Sequence, residues 1–146
     1  MDADPFFDSI EKGDRTLFHA HHKFRLCTSI TVIGEFFLII QEREDFTDLL
    51  LKLSDFFRGS QIQILVPNDE VAILCYEFSK DLMDGRMIGQ KTERTHLAYA
   101  MAYQADFFLS YDTALARYRI PQVLIDSGYT KPDVIDLGTF KGMLSL

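Results

Sequence analysis

The sequence predicts an α/β fold, a three-layer α/β/α sandwich with a mostly parallel central sheet. Short β-branched or apolar runs alternate along the chain with longer amphipathic helical patterns. The connections between them are short, which is typical of parallel strands joined by crossover helices. The 146 residues are 47% hydrophobic and show no repeat or linker, so we expect a single domain over residues 1–146.

The N-terminal segment predicts a helix followed by an irregular connection and a strand. Asp4 caps free N–H groups and Pro5 suits the first helical position, so the helix is expected to begin there. Gly13 supplies a left-handed stop. Residues 14–23 predict a connection or a short irregular helix, and residues 24–28 predict a short strand.

Two capped helices follow this strand. Ser29 precedes a helix over residues 30–42, in which the residues expected to pack inward are Ile33, Phe36, Phe37 and Ile40. Asp45 or Thr47 starts the next helix, and Gly59 is expected to end it.

The second half of the chain continues the alternation. Residues 61–66 predict a strand because they alternate and are β-branched, and Asn68 caps a helix that fades at Gly85. The remaining expected elements are a helix over 91–104, a buried strand over 106–110, a short helix over 113–118 and a strand over 122–125.

Charge, cysteine content and hydropathy exclude several classes of protein. With 15 basic and 22 acidic residues the net charge is −7, which excludes a polycationic nucleic-acid coat. Cys27 and Cys75 cannot form a disulfide framework and are expected to pack as small apolar groups. No signal-peptide pattern is visible, and the apolar run 30–40 is too short to cross a bilayer, so we expect a cytoplasmic protein without a membrane segment.

Four carboxylates stand apart from the ordinary surface charge: Asp2, Glu35, Glu93 and Asp112. Glu35 lies within an apolar run, and Asp112 follows an apolar strand at its C-terminal end. Ligands of parallel α/β sheets bind at the carboxyl ends of the strands. Carboxylates that converge there repel one another unless cations join them, and Mg²⁺ and Mn²⁺ prefer such oxygen ligands. The pattern thus predicts a metal site, and such a site can orient a water and stabilise a phosphodiester transition state.

Four segments resemble the acidic motifs of the PIN domain family, namely residues 2–7, 28–35, 93–100 and 105–112. Their order and spacing agree with that family over roughly residues 2–118. The resemblance implies a metal-dependent endoribonuclease similar to the toxin of VapBC-type toxin–antitoxin pairs. It further implies that Mg²⁺ or Mn²⁺ is bound by Asp2, Glu35, Glu93 and Asp112, and that the Ser110 hydroxyl supports the site.

The same resemblance implies the partners of the protein. RNA is the expected substrate, and an antitoxin is the expected protein partner. The C-terminal segment of that antitoxin is expected to cover the acidic groove with an Arg or Lys side chain. A homodimer is the expected assembly, and an excess of Phe residues, 13 in the chain, is compatible with an apolar dimer face.

Three positions depart from the family pattern. Only Met1 precedes Asp2, where the family has a strand several residues long. Asp4 stands where the family has a polar Asn, and Glu93 is one methylene longer than the usual Asp. These departures leave a second hypothesis open, a catalytically weak PIN scaffold that binds RNA or a protein partner.

Two further hypotheses come from other classes of protein. Asp2, Asp4 and Asp69 faintly match the acidic pair and acceptor of a flavodoxin-like phospho-accepting signalling domain. Glu93 and His96 have the spacing of half a di-iron site, but the sequence has no second pair, so His96 is expected to pack or hydrogen-bond beside the site.

Several other side chains have ordinary alternatives to a functional role. The spacing of His19, His21 and His22 does not gather metal ligands on one helix face, so a solvated or packing role is expected. Four basic residues near the last two acidic motifs are expected either to meet RNA phosphates or to be plain surface charge: Lys91, Arg94, Arg117 and Arg119.

Overall fold

The computed structural model describes the backbone of residues 1–83 and 91–145, and within these ranges the side chains of all residues except 82, 83 and 91–93. The helices α1 to α8 span Ala3–Glu11, Ile30–Ile40, Phe46–Ser60, Asp69–Met83, Lys91–Ala102, Thr113–Arg117, Gln122–Asp126 and Leu137–Leu144. The strands β1 to β4 span Cys27–Ser29, Gln63–Leu65, Phe107–Leu109 and Asp133–Ile135, and a 3₁₀ helix spans Thr16–His22.

The strands pair in parallel, as the alternating pattern predicts. Strand β1 pairs with β2, with Thr28 opposite Ile64, and β3 pairs with β4, with Phe108 opposite Val134. The α/β class is therefore confirmed. Within the described ranges the strands form two separate pairs, where we expected one central sheet.

Residues Met1 and Asp2 lie between the two strand pairs and join them. The Met1 amine donates to the Cys27 carbonyl at 2.7 Å, and the Asp2 amide donates to the Leu109 carbonyl at 2.9 Å. The Thr28 hydroxyl donates to the Met1 carbonyl at 2.9 Å. Met1 and Asp2 thus connect the two strand pairs through hydrogen bonds of their backbone.

Two of the predicted helix caps are confirmed. Ser29 Oγ accepts a hydrogen bond from Val32 N at 3.1 Å, and α2 begins directly after it. Asn68 Oδ1 accepts from Val71 N at 2.9 Å at the start of α4. The end of α4 that we expected at Gly85 lies outside the described residues.

The first helix begins earlier than predicted, because Asp2 and not Asp4 is its N-cap. The backbone of Asp2 is extended, with φ −72° and ψ 168°, and its side chain accepts from Ala3 N. Asp4 therefore lies within the first turn, where its charge still suits the positive end of the helix. The bond from the Asp2 amide to Leu109 fixes this boundary, and no local pattern reveals such a bond.

Gly59 does not end α3, contrary to the prediction. The helix continues to Ser60, and Gln61 takes the left-handed conformation with φ 53°. A Cβ atom at Gly59 would lie 2.3 Å from the Phe18 ring. Glycine is required there by the close approach of that ring and not by the helix terminus.

The predicted strand over 122–125 is wrong, since these residues form α7. Pro121 precedes the helix with φ −54°, and the Gln122 side chain donates to Asp126 Oδ1 one turn later. The alternation favoured a strand, yet Val123 and Ile125 are exposed and Leu124 is buried. The strand of this region is β4, and neither β4 nor α8 was predicted.

The buried apolar residues form two clusters. One joins α1, α2 and α3 around Phe6, whose ring meets those of Phe36 and Phe56 edge-on at 5.7 and 5.8 Å. The other joins α4 and α5 to β3 around Phe78. Phe37 was expected inside but is 41% exposed. None of the helices in the described ranges combines the length and apolar character that crossing a membrane requires.

Candidate functional site

Asp2 is a buried carboxylate held at both oxygens. It is 5% exposed, and Oδ1 accepts from its neighbour Ala3 N at 2.8 Å. Oδ2 accepts from the Ser110 hydroxyl at 2.7 Å, across 108 positions of the chain. The position is therefore set by the start of α1 and by the end of β3 together.

Glu35 projects from the middle of α2 toward the same region. Its Oε2 accepts a hydrogen bond from His96 Nε2 at 3.2 Å. Its other oxygen, Oε1, is buried and has no hydrogen-bond partner among the described residues. A buried carboxylate oxygen without a partner is costly, so this atom is a candidate contact for an additional group.

His96 connects Glu35 to Asp2. Its ring, carried by α5, is 3% exposed, and Nε2 lies 3.7 Å from Asp2 Oδ1 as well as close to Glu35. His96 was expected to pack or hydrogen-bond beside the predicted carboxylates, and it is buried and hydrogen-bonds to one of them, Glu35. A hydrogen-bond donor between two carboxylates reduces the electrostatic repulsion between them.

Ser110 links Asp2 to Asp112. Its hydroxyl donates to Asp2 and accepts from the Asp112 amide at 3.1 Å. The Asp112 side chain in turn caps α6, accepting from Ala114 N at 2.8 Å and Leu115 N at 3.4 Å. The Asp112 backbone is thus linked to the Asp2 carboxylate through the Ser110 hydroxyl.

Glu93, the remaining predicted ligand, lies in the first turn of α5, and its side chain is outside the described ones. Asp4, which the sequence offered as an added charge near the site, is exposed on α1. Burial together with Asp8 raises the pKa of Tyr111 to about 12, and Asp4 contributes a smaller part of that effect.

The oxygen atoms of the described site residues are of the type that a divalent cation prefers, but they are not arranged as a metal site. Carboxylate oxygens are the ligands that Mg²⁺ and Mn²⁺ prefer, and the unpartnered Glu35 Oε1 is such an oxygen. No three His, Cys, Asp or Glu side chains among the described residues are arranged to hold a metal ion. In this structure His96 and Ser110 hydrogen-bond to one oxygen of Glu35 and to one oxygen of Asp2, respectively.

The basic residues near the site divide into two kinds. Arg94 is buried, 5% exposed, so neither RNA contact nor plain surface charge describes it. It lies near Tyr118, whose hydroxyl donates to Asp81 at 2.5 Å; burial and Asp81 raise the pKa of Tyr118. Arg117 and Arg119 are exposed, and the Lys91 side chain lies outside the described residues.

The histidines and cysteines outside the site match the ordinary expectation. The rings of His21 and His22 lie 4.1 Å apart, and His21 Nδ1 lies 2.8 Å from the Phe18 carbonyl. Cys27 and Cys75 are free and half-buried, and burial raises the pKa of the Cys75 thiol.

Comparison with known proteins adds evidence about the fold. No family model matches the sequence, and no curated protein matches it. The structure resembles a chain of the crystal structure of VapBC2 from Rickettsia felis bound to a DNA fragment from its promoter, with a TM-score of 0.66. The likeness covers 88% of this chain and 89% of that chain at 13% sequence identity. At this identity the comparison establishes a shared fold.

Proposed function

We propose that this chain is a PIN-type endoribonuclease that hydrolyses RNA phosphodiester bonds and acts as the toxin of a toxin–antitoxin pair. The observation that carries the proposal is the convergence of Asp2, Glu35 and His96, with Asp112 tied to Asp2 through Ser110. Separate parts of the chain supply these groups, in the order of the acidic motifs. The fold shared with a chain of the VapBC2 complex supports the proposal.

In the proposed site, Asp2, Glu35, Asp112 and Glu93 hold Mg²⁺ or Mn²⁺. When bound, such an ion supplies an activated water and neutralises charge on the phosphodiester. Ser110 keeps Asp2 and Asp112 in fixed positions, which lowers the reorganisation needed when the ion enters. His96 orients Glu35 and is a positioning residue.

Substrate and partner contacts follow from charge. Arg117 and Arg119 are exposed shortly after Asp112, and we assign them to RNA phosphates. An antitoxin side chain of the Arg or Lys type that enters the groove would give Glu35 Oε1 its missing partner. The exposed apolar residues of α2, Leu38 at 67% and Ile39 at 50%, suit an interface with the antitoxin or within a homodimer.

One observation favours the second hypothesis, a catalytically weak scaffold. Glu35 Oε2 already has a partner in His96, and Asp2 Oδ2 has one in Ser110. A site satisfied in this way binds a cation less readily. The flavodoxin-like hypothesis gains no such support, because Asp69 is an exposed residue in the first turn of α4 and does not end a strand.

RNA cleavage in EDTA, Mg²⁺ or Mn²⁺ tests the proposed function, with the variant Asp112→Asn beside the wild type. Asn is as good a helix cap as Asp, so this variant keeps α6. The matched control is Asp48→Asn, an exposed carboxylate of α3 paired with Lys52. Metal-dependent cutting that only Asp112→Asn loses supports the nuclease. Equal cutting by all three proteins contradicts it, and RNA binding without cutting supports the scaffold.

A further inference from the structure

Helix α6 follows the site residue Asp112 directly and has only five residues. A helix of this length is not stable by itself, so its position depends on the groups that bind its two ends. At the first end, Asp112 Oδ1 accepts hydrogen bonds from Ala114 N and Leu115 N. The orientation of the Asp112 carboxylate and the position of α6 therefore depend on each other.

The other end of α6 is held by Lys131. Its Nζ donates to the carbonyls of Leu115, Ala116 and Tyr118, at 3.1 Å for Ala116 and 2.7 Å for Tyr118. An ammonium group has three N–H donors, and here each of them has an acceptor. The last carbonyls of a helix have no partner within it, and a positive charge suits this end of the helix. Lys131 is thus the C-terminal cap of α6.

Leu115 connects the two caps. Its N–H donates to Asp112 Oδ1 at 3.4 Å, and its carbonyl accepts from Lys131 Nζ. The residue is completely buried, so its own place in the fold is well defined by packing. If the end of α6 moved, the donors that hold the Asp112 carboxylate would move with it.

Lys131 is fixed in turn by strand β4, which begins two residues later. Strand β4 pairs with β3, and the pairing continues as Ser110 N donates to the Ile135 carbonyl at 3.0 Å. Ser110 is the residue whose hydroxyl accepts from the Asp112 amide. One strand pair therefore supports Asp112 twice, through Ser110 at its backbone and through Lys131 and α6 at its side chain.

The burial of Lys131 makes its bonds to the carbonyls necessary. Lys131 is half-buried, and burial lowers its pKa while the Asp133 carboxylate acts in the opposite direction. A charge removed from water costs free energy unless hydrogen bonds compensate for the loss. The carbonyls at the end of α6 supply these bonds, so the ammonium group and the end of the helix stabilise each other.

We infer that Lys131 is a positioning residue for the Asp112 carboxylate and acts on it through Leu115 and helix α6. Lys131 lies beyond residues 2–118, the span over which the acidic motifs match, so no motif includes it. Its effect on the geometry of Asp112 does not depend on any bound group. Its importance for a metal ion rests on the proposed function.

Amide hydrogen exchange in EDTA tests this inference without metal or RNA. Lys131→Met keeps a side chain of similar length and removes the donors. The matched control is Lys23→Met, because Lys23 Nζ donates to the Leu144 carbonyl at the end of a different helix, α8. We expect the amides of Ala114 and Leu115 to exchange at least about tenfold faster in Lys131→Met and to be unchanged in Lys23→Met. Unchanged exchange in Lys131→Met overturns the inference.

Chemical rescue provides a second variant and identifies the ammonium group as the cause. Lys131→Ala lacks three carbons and the ammonium group, which n-propylammonium chloride replaces. We expect this salt to slow the exchange of Ala114 and Leu115 back toward the wild-type rate as its concentration rises. Tetramethylammonium chloride at the same ionic strength has no N–H donor and should not slow it. An equal response to the two salts contradicts the assignment.

Mn²⁺ affinity, measured by titration calorimetry, separates positioning from a merely structural role. We expect Lys131→Ala to bind Mn²⁺ about tenfold more weakly than the wild type and to recover in n-propylammonium chloride. A lower melting temperature with unchanged Mn²⁺ affinity would show a structural role only and overturn the inference. A wild type that does not bind Mn²⁺ refutes the proposed metal site, and the exchange rates of Ala114 and Leu115 then decide the role of Lys131.

Discussion

Glu35 Oε2 accepts a hydrogen bond from His96 Nε2 at 3.2 Å, although the two residues are 61 positions apart in the chain. This bond joins α2 to α5 at the candidate site and satisfies one of the two Glu35 oxygens. The other oxygen, Oε1, is buried without a partner among the described residues. One oxygen of Glu35 is therefore held by His96, and the other is the atom that the proposed cation, or a cationic side chain of a partner, would contact.

Replacing His96 is expected to destabilise the protein in the absence of metal. His96→Ala leaves the Glu35 carboxylate without its hydrogen-bond donor. It also removes the ring nitrogen that lies near both Glu35 and Asp2, so the repulsion between the two carboxylates is less compensated. We expect the free energy of unfolding to fall by about 1–3 kcal/mol, measured by urea denaturation in EDTA. His22→Ala, which removes an exposed ring, is the control and should change little. A stability of His96→Ala equal to wild type would show that the bond contributes nothing.

Ser110 is expected to affect stability and the site together. Ser110→Ala leaves Asp2 Oδ2 and the Asp112 amide each without its present partner, at a cost of about 1–3 kcal/mol. Ser127→Ala removes an exposed hydroxyl that bonds only to the Val123 carbonyl and should cost much less. Thermal denaturation of the two variants measures the difference. Equal melting temperatures would contradict the linking role of Ser110.

Mn²⁺ or Mg²⁺ is expected to raise the melting temperature of the wild type. A ligand at a hundred times its dissociation constant stabilises the folded state by about 2.7 kcal/mol. Glu35→Gln keeps the size of the side chain, removes its charge and should abolish most of this gain. Glu42→Gln, an exposed change near the end of the same helix, should retain the gain. A metal effect that is the same in both variants would place the ion elsewhere.

The ion pair of Asp14 with Lys141 predicts an acid-dependent loss of stability. Burial by itself would raise the pKa of Asp14, but hydrogen bonds from Lys141 and Thr16 outweigh it and lower that pKa to about 2. A carboxyl with a lowered folded-state pKa stabilises the protein above its ordinary pKa of 3.8, and this contribution is lost as the pH falls toward 2.

The variant Asp14→Asn tests this pH dependence. We expect it to melt a few degrees below the wild type at pH 6 and to approach the wild type at pH 2, because the wild-type carboxyl is then becoming protonated. The control Asp126→Asn changes an exposed carboxylate of α7 and should show no such convergence. A difference that grows toward low pH would contradict the sign of the effect.

Local signals predicted much of the chain correctly because the responsible contacts lie close in sequence. Ser29 and Asn68 cap helices whose free N–H groups lie three residues further on. The apolar runs that became β1, β2 and β3 are bounded by such caps. The isolated carboxylate Glu35 marked its place in the candidate site, since an apolar run rarely includes a charge without a reason.

Local signals failed where distant parts of the chain decide the outcome. Residues 122–125 suit a strand by alternation, but β3 pairs with Asp133–Ile135 and leaves them to form α7. Gly59 matched a helix stop, but the Phe18 ring requires its small size. The N-cap of α1 shifted to Asp2 because a hydrogen bond to Leu109 fixes the backbone there.

The sequence by itself determined the α/β class, the order of most elements and the positions of the acidic residues, because propensity, capping and periodicity act over a few residues. Only the tertiary structure decided that His96 joins Glu35 to Asp2 and that Ser110 joins Asp2 to Asp112. These relationships depend on packing between residues up to 108 positions apart. Their free energy comes from burial and from hydrogen bonds formed in the assembled fold, which no short window of sequence contains.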